Sequence, residues 1–355
     1  MLKAGYAMDI KNIDKNFKVN NANDSEYDFF SYQSFTVEGF CKESIEEGEL
    51  VRLPKSVLKD LSPALVETAH FCAGGVVRFR TDSKKIAVKC NYHKMRSSSG
   101  MALAADAGID LYSGLGFIAN YRPEDGNSFI DMEASTDSSQ MRDYTMYLPL
   151  YSSIKELEIG FLKGSKIEKA TPHKSDKAIL FYGSSVTNGG CATRPGLTYP
   201  AVITRKLGAE MINLGFSGNA RGETEIARYI AQQNISAVII EYDHNAPTAE
   251  FLKKTHEPFF KIVREANPKI PVILISGWFF REYSDDVNRK IRRDIVKQTM
   301  LNAMQSGDNA VSFIDGSELF PENTAGDYSV DLVHPNDMGF YVMAEKVMDI
   351  LKQND

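Results

Sequence analysis

The sequence predicts two domains, a β-sandwich followed by a three-layer α/β/α domain built on a parallel sheet. The 355 residues are about twice the length of a typical single domain. Residues 164–177 are polar, include Pro172 and separate two regions of different character, as a linker does. Short strand patterns precede this segment, and strands alternate with helices after it. We therefore predict a β-rich domain over residues 1–165, a linker over 166–177 and an α/β domain over 178–355.

The amino-terminal region contains short runs that are rich in β-branched and aromatic residues, which is typical of strands. Two of these runs, residues 76–83 and 86–92, are separated by polar residues that suit a hairpin turn. Further runs follow at residues 109–112, 116–119, 142–148 and 157–161. One helical piece is expected over residues 63–68. Many short strands at this spacing predict a β-sandwich.

The carboxy-terminal region alternates apolar strands with amphipathic helices. The strands are predicted at residues 178–182, 211–214, 237–242, 272–275 and 311–314. Helical stripes are formed by Val287, Ile291 and Ile295 within residues 285–304, and by five apolar residues within 338–351, namely Phe340, Met343, Ala344, Val347 and Leu351. A third helix over residues 248–266 contains Pro258 and is expected to be kinked or in two parts. Buried strands joined by helical crossovers form a parallel sheet, and sites in such sheets lie past the carboxyl ends of the strands.

The composition indicates an ordinary globular protein, with 43% hydrophobic and 25% charged residues and a net charge of -6. This acidic balance gives no electrostatic basis for binding nucleic acid or an anionic membrane. No apolar run approaches the roughly 20 residues that span a bilayer. The first residues lack the apolar core of a signal peptide, so the chain as given is expected to be cytoplasmic.

The cysteines and histidines show no ligand pattern. Cys41, Cys72, Cys90 and Cys191 form no CxxC pair, and the six histidines contain no HExxH motif. We therefore predict reduced, mostly buried thiols, no metal and no cofactor.

A serine lies on a glycine-flanked turn after the first strand of the α/β region, where residues 182–190 read Tyr-Gly-Ser-Ser-Val-Thr-Asn-Gly-Gly. A serine between strand and helix is exposed and lies near backbone N–H groups that could hold an oxyanion. The same residues would suit a phosphate-binding loop, but the P-loop lysine and the GxGxxG order are missing. Taken alone, the segment is also compatible with a plain turn.

Three further polar segments follow later strands, at residues 215–223, 243–247 and 331–336. Each has a simple structural explanation: Gly218 as a turn residue, Asn245 as a helix cap, and Asp331 and His334 as loop polar groups. Their occurrence in order at successive strand ends favours a catalytic site instead.

These four segments resemble the four sequence blocks of the GDSL/SGNH hydrolase superfamily, and together they extend through nearly all of residues 178–353. The string at residues 182–196 resembles a two-domain branch whose β-rich amino-terminal domain carries a Gly-x-Asp-Leu-Tyr motif. Residues 108–112 match that motif. The resemblance implies a flavodoxin-like SGNH-hydrolase domain and a serine esterase that acts through an acyl-enzyme intermediate.

The resemblance assigns a role to each matched residue. Ser185 corresponds to the nucleophile, and its N–H, the N–H of Gly218 and the side-chain amide of Asn245 correspond to the oxyanion hole. His334 corresponds to the base and Asp331 to its carboxylate. The residue types fit the chemistry, because a serine hydroxyl needs an imidazole to take its proton and the imidazole needs a carboxylate to fix its tautomer.

The sequence departs from the superfamily pattern at two places. Ser184 replaces the Asp of the namesake motif, which leaves the hydrogen bonds of the loop open, and Asp243-His244 replaces a more usual Gly-x pair. His244 is a rival base, a substrate contact or a structural residue. Arg194 either binds substrate or pairs with a carboxylate. Trp278 either stacks on a sugar or an acyl chain, or packs in the core.

The substrate cannot be derived from the spacing, since esters, thioesters and some amides all suit such a site. Members of the resembling branch are commonly thought to remove small acyl groups, often acetyl, from carbohydrates. We therefore expect a carbohydrate-type O-acetyl esterase acting on a small-molecule or oligosaccharide ester, with a lipid or thioester hydrolase as the alternative. A non-catalytic nucleotide-, phosphate- or glycan-binding protein is the alternative from another class. No nucleic acid or membrane partner is expected, and a homo-oligomer is left open.

Overall fold

The structure is a computed structural model, and it describes residues 21–124, 126–278 and 287–353. Its amino-terminal part consists of two antiparallel sheets with the orders β1-β9-β4-β7 and β10-β3-β8-β5-β6, and β2 pairs with β3. The strands are β1 (Tyr27–Ser31), β2 (Thr36–Glu38), β3 (Val76–Thr81), β4 (Lys85–Lys94), β5 (Ile109–Ser113), β6 (Gly116–Tyr121), β7 (Phe129–Ser135), β8 (Arg142–Tyr147), β9 (Ser153–Leu162) and β10 (Ile167–Lys169).

The inner faces of the two sheets share one apolar core. Burial along β3 alternates over most of its length, as expected for a strand with one face on a core. Phe79 of β3 meets Phe161 of β9 edge to face, with ring centroids 5.2 Å apart. The six predicted strand regions are confirmed, and β10, which lies within the predicted linker, pairs with β3.

Among the described residues of this part, four short helices accompany the sandwich: α1 (Lys42–Glu46), α2 (Lys55–Leu58), α3 (Pro63–Ala69) and α4 (Leu103–Asp106). The predicted helical piece is α3. It begins where the Ser62 side chain accepts a hydrogen bond from the Leu65 N–H, and Pro63 occupies the first turn.

The carboxy-terminal part is a parallel sheet between helices. Its strands are β11 (Ala178–Gly183), β12 (Met211–Gly215), β13 (Ile235–Glu241), β14 (Val272–Ile275) and β15 (Val311–Ile314). Their order is β12-β11-β13-β14-β15. This is the flavodoxin-like order, and the strand order reverses between β11 and β13, where ligands bind in doubly wound folds. The predicted fold class is confirmed.

The helices of this part are α5 (Ser185–Asn188), α6 (Tyr199–Leu207), α7 (Thr224–Ile230), α8 (Ala249–Ala266), α9 (Val287–Gln305) and α10 (Asp337–Gln353). Helix α8 is continuous with Pro258 inside it, so the two-part alternative is wrong. The apolar stripe predicted for α10 is buried. No helix in the described ranges has the length and apolar character needed to cross a membrane.

The stripe predicted for α9 is wrong for its first two residues. Val287 and Ile291 are 68% and 46% exposed, whereas Val296 and Thr299 are buried. The third predicted residue, Ile295, packs against the core cluster that contains Val296, and the other α9 residues that contact this cluster, Met300 and Ala303, follow it in the helix.

Candidate active site

The turn after β11 presents a single accessible side chain. Ser185 is the only residue among 181–190 that is not buried. The Ser184 hydroxyl caps α5 by accepting from the Val186 N–H at 3.1 Å. Gly183 has no room for a side chain, since a Cβ there would lie 2.2 Å from the Glu241 carbonyl oxygen. The helix ends at Gly189 with φ of 108°, a conformation that favours glycine. The close packing therefore fixes Ser185 at the end of the strand.

Ser185, His334 and Asp331 form one hydrogen-bonded chain. The Ser185 Oγ lies 2.8 Å from His334 Nε2, and His334 Nδ1 lies 2.7 Å from Asp331 Oδ2. The other carboxylate oxygen of Asp331 accepts from the N–H groups of His334 and Val333 at 2.7 and 3.0 Å. Partial burial raises the pKa of Asp331, but the hydrogen bonds from His334 outweigh it and the pKa lies below its ordinary value. Asp331 is thus an ionised acceptor for the imidazole.

The loop that carries His334 is held on both sides. The His334 carbonyl oxygen accepts from the Ser329 hydroxyl at 2.9 Å and from the Val330 N–H at 3.0 Å. Trp278 Nε1 donates to the Val333 carbonyl oxygen at 2.7 Å. These bonds orient the imidazole before any ligand arrives.

Gly218 and Asn245 follow the two strands that flank β11. Gly218 has φ of 71°, and a Cβ there would meet nothing within 4 Å, so its surface is open. Asn245 Nδ2 donates to the Phe216 carbonyl oxygen at 3.3 Å. An amide nitrogen carries two hydrogens, so this bond orients the Asn245 side chain and leaves one hydrogen for a ligand. The arrangement offers N–H donors on the same edge of the sheet as Ser185.

Two family models match the chain. Residues 176–352 match the GDSL-like lipase/acylhydrolase family, and residues 27–167 match the model described as the N-terminus of Esterase_SGNH_hydro-type. The chain belongs to the GDSL-like lipase/acylhydrolase family. The superfamily recognised from the sequence is thereby confirmed, as is the enzyme class of serine hydrolase.

Several solved structures resemble this GDSL-type hydrolase over both domains. A protein described as a GDSL-like lipase from Bacteroides ovatus has 25% identity and a TM-score of 0.83, with 92% of this chain and 98% of that chain covered. The salicylyl-acyltransferase SsfX3 from a tetracycline biosynthetic pathway has 19% identity and a TM-score of 0.76, with 92% and 97% covered. A family two carbohydrate esterase from Clostridium thermocellum has 16% identity and a TM-score of 0.58, with 79% and 92% covered. No curated protein matches the chain.

The departure from the GDSL motif at Ser184 is accompanied by a buried carboxyl group on the neighbouring strand. Glu241, the last residue of β13, contacts the Ser184 Oγ with both oxygens at 3.0 and 2.9 Å and the Thr187 hydroxyl at 3.1 Å. Burial, and then the nearby Asp243, raise the pKa of Glu241 to about 8. Sequence reasoning missed this residue, although an acidic residue at the end of an apolar strand was a usable signal.

The structure brings His334, and not His244, to Ser185. Burial lowers the pKa of His244, and its ring packs 5.2 Å from that of Trp278. A Cβ on Gly277 would lie 2.4 Å from His244 Nε2, so the ring rests on the glycine backbone. The hydrogen bond to Ser185 comes from His334, so the structure gives no support to His244 as the base.

Arg194 pairs with a carboxylate. Its Nη1 donates to Asp110 Oδ2 at 2.9 Å and also to the Tyr112 hydroxyl, and its guanidinium lies 3.8 Å from the centroid of the Phe117 ring. Asp110 is fully buried and also accepts from the Gly196 N–H at 2.8 Å. The Gly-x-Asp-Leu-Tyr motif thus attaches the sandwich to the loop after α5, and the substrate-binding alternative for Arg194 is not supported.

The substrate-stacking alternative for Trp278 is wrong for a similar reason. The indole is 0% exposed and packs in the core with Phe320, at 6.4 Å between ring centroids. It has no free face for a sugar or an acyl chain, and its N–H is used by Val333.

One group of described side chains has the spacing of metal ligands. Cys191 Sγ, an Asp331 oxygen and a His334 ring nitrogen lie within 4.8 Å of one another. Both ring nitrogens of His334 already have partners, Ser185 and Asp331. Burial, and then Asp331, raise the pKa of the Cys191 thiol to about 11, which keeps it protonated at neutral pH. Asp331 and His334 are therefore accounted for by their hydrogen bonds to each other and to Ser185, and Cys191 is a neutral thiol beside them.

Proposed function

We propose that this protein is a serine esterase that removes small acyl groups, acetyl above all, from carbohydrate substrates through an acyl-enzyme intermediate. The observation that carries the proposal is the hydrogen-bonded chain from Ser185 Oγ through His334 to Asp331, with contacts of 2.8 and 2.7 Å. This series of hydrogen bonds is the arrangement that activates a serine hydroxyl for attack on a carbonyl.

In the first half-reaction, Ser185 Oγ attacks the ester carbonyl while His334 Nε2 takes its proton. Asp331 stabilises the imidazolium through Nδ1. The former carbonyl oxygen becomes negative and accepts hydrogen bonds from the N–H groups of Ser185 and Gly218 and from the amide of Asn245. Each donor contributes about 3–4 kcal/mol to stabilising the transition state. His334 then gives its proton to the leaving sugar hydroxyl.

In the second half-reaction, His334 takes a proton from water, which attacks the acyl-Ser185 carbonyl. The same three donors stabilise the second oxyanion. Collapse of this intermediate releases the carboxylic acid and returns the proton to Ser185. No step requires a cofactor.

The exposure of the site supports a substrate in which a small acyl group is esterified to a large alcohol. The side chains of His334 and Asp331 remain 27% and 47% exposed. A site that opens on the surface suits an ester at the edge of a sugar chain better than a fatty chain that needs burial. The fold neighbours add support, since they include a carbohydrate esterase crystallised with cellohexaose and an acetyl xylan esterase from Butyrivibrio proteoclasticus with a TM-score of 0.51.

The proposal is tested with p-nitrophenyl esters from acetyl to octanoyl and with acetylated xylo- and cello-oligosaccharides, measuring released acetate. We expect acetyl and propionyl esters to react fastest and Ser185→Ala to abolish turnover with an unchanged far-UV circular dichroism spectrum. A rate that rises steadily with chain length would instead indicate a lipid or thioester hydrolase. Absence of labelling by a fluorophosphonate would indicate a binding protein.

A further inference from the structure

Arg52 crosses from the amino-terminal domain into the base of the candidate active site. It is 1% exposed, and its backbone N–H donates to the Ala69 carbonyl oxygen at 3.1 Å. Its Nη1 donates to the carbonyl oxygens of Asn213 at 3.1 Å and Gly215 at 2.7 Å. Its Nη2 donates to the Thr68 carbonyl oxygen at 2.5 Å and to Asn188 Oδ1 at 3.4 Å. One guanidinium therefore joins three separate segments.

Two of these segments carry the proposed catalytic groups. Asn188 is the last residue of α5, the four-residue helix that Ser185 begins. Gly215 ends β12 and leads into Gly218, and a Cβ on Gly215 would lie 2.2 Å from the Asn188 backbone nitrogen. With no space between the strand end and the helix, a shift of one must displace the other.

The guanidinium also supports the turn that presents Gly218. It lies 4.8 Å from the centroid of the Phe216 ring. The Phe216 carbonyl oxygen accepts from the N–H groups of Asn219 and Ala220 at 2.8 and 3.1 Å, which closes the turn around Gly218. The same oxygen accepts from Asn245 Nδ2. Phe216, whose ring contacts the Arg52 guanidinium, thus hydrogen-bonds both to the turn that contains Gly218 and to Asn245.

The charge of Arg52 has an unusual environment. All four of its hydrogen-bond acceptors are neutral, and no ion pair within the described residues includes it. Burial lowers the pKa of Arg52 to about 9, so the side chain still carries its charge near neutral pH. Burying a cation without a carboxylate is costly, whereas hydrogen-bonded carbonyl dipoles offset part of the cost.

We propose that Arg52 is a positioning residue for the oxyanion hole: it holds residues 215–218 against α5, so the amino-terminal domain completes the active site. The inference rests on the proposed esterase function. Loss of Arg52 removes the side-chain donor from the carbonyl oxygens of Asn213 and Gly215, and the strand end relaxes away from α5. A misplacement of about 1 Å at such a distance from the reacting atoms costs about 100-fold in rate.

The test compares Arg52→Met and Arg52→Lys with the wild-type full-length chain, using p-nitrophenyl acetate and an alkyl trifluoromethyl ketone. The ketone forms a hemiketal oxyanion on a catalytic serine and so reports on the oxyanion hole directly. We expect Arg52→Met to lower kcat about 10- to 100-fold with KM within about threefold, and to weaken ketone inhibition by a factor similar to the loss in kcat. Arg52→Lys should recover part of both losses, since it retains the charge and can reach one carbonyl oxygen.

Arg205→Met is the matched control. Arg205 also donates to backbone carbonyl oxygens, those of Gly196 and Ala201 at 2.9 and 3.3 Å, and its guanidinium packs on Tyr112 of the other domain. It should therefore lower the thermal midpoint while leaving kcat and ketone affinity near wild type.

The proposal is overturned if a folded Arg52→Met or Arg52→Lys enzyme keeps wild-type kcat and ketone affinity, or if Arg205→Met loses as much of both as Arg52→Met. If Arg52→Met does not fold, the Arg52→Lys values decide the question. A wild-type enzyme that lacks turnover and fluorophosphonate labelling would defeat the esterase proposal itself, which separates the two failures.

Discussion

Replacing Asp331 by asparagine should invert the tautomer of His334. Asp331 Oδ1 accepts from two backbone N–H groups and Oδ2 faces His334 Nδ1. The asparagine oxygen will take the place of Oδ1, because the two backbone donors require an acceptor there. Its NH2 group then faces Nδ1, which must become an acceptor. The ring proton moves to Nε2, opposite the Ser185 hydroxyl, and the imidazole can no longer act as a base.

The magnitude follows from the loss of this one function. The fold and the oxyanion donors remain, so the expected fall in kcat is about 10³- to 10⁴-fold, or about 4–5.5 kcal/mol in activation free energy. KM for a short aryl ester should change little, since Asp331 lies behind the imidazole and not beside the substrate. The thermal midpoint should also change little, because the backbone N–H groups keep their acceptor.

The assay is the pH dependence of kcat for p-nitrophenyl acetate, with Asp337→Asn as the control. Asp337 is a partly exposed carboxylate three residues beyond His334, and it accepts from the Thr193 N–H and hydroxyl. Asp337→Asn should retain most of the wild-type kcat. A loss below tenfold in Asp331→Asn, beside an inactive His334→Ala, would refute the reasoning and show that the imidazole is oriented by another acceptor.

Three other outcomes are expected. His334→Ala should approach the turnover of Ser185→Ala, because groups acting as one unit lose their effect together, whereas His244→Ala should act mainly on KM; kinetics that reverse this order would remove His334 from its role. Asp110→Ala should lower the free energy of unfolding by about 3–5 kcal/mol in urea titrations, because it leaves the half-buried Arg194 without its carboxylate. A cost below about 1 kcal/mol would contradict the role of this pair in attaching the sandwich to the loop after α5. The pKa of Glu241 is raised in the folded state from 4.5 to about 8, so its stabilisation is complete below about pH 4.5 and lost as the pH rises through about 8. The difference in unfolding free energy between wild type and Glu241→Gln should follow that slope, and a flat difference would contradict the burial of a neutral carboxyl group.

The sequence predicted what depends on short segments. The strand end that carries Ser185 could be located because an apolar run, a glycine-flanked turn and the next helix lie within a few residues of each other. His334 could be placed by its position just before the final helix, well beyond the end of β15. The parallel sheet then brings its carboxyl ends to one edge, so side chains that are 149 residues apart meet without further information.

The supporting contacts could not be predicted in this way. Arg52 meets the Asn213 carbonyl oxygen across 161 residues, and Arg194 meets Asp110 across 84. A lone arginine has no periodic pattern, and its acceptors are mostly backbone oxygens that every residue possesses. The burial of Trp278 could not be predicted either, because the sequence pattern of an aromatic residue after a strand is the same whether its ring faces solvent or the core.

The carboxyl group of Glu241 explains why a serine, and not an aspartate, is suited to position 184. Glu241 lies at hydrogen-bond distance from the Ser184 hydroxyl and is fully buried, with a pKa of about 8 that leaves it mostly protonated at neutral pH. An aspartate at this position, as in the namesake motif, would place two carboxyl groups in contact inside the protein, and one of them would have to remain neutral. A hydroxyl can donate to the carboxyl group of Glu241 and still cap α5 through its oxygen. In this chain the acidic group under the nucleophile therefore comes from β13, and the short side chain of Ser184 connects it to the turn that carries Ser185.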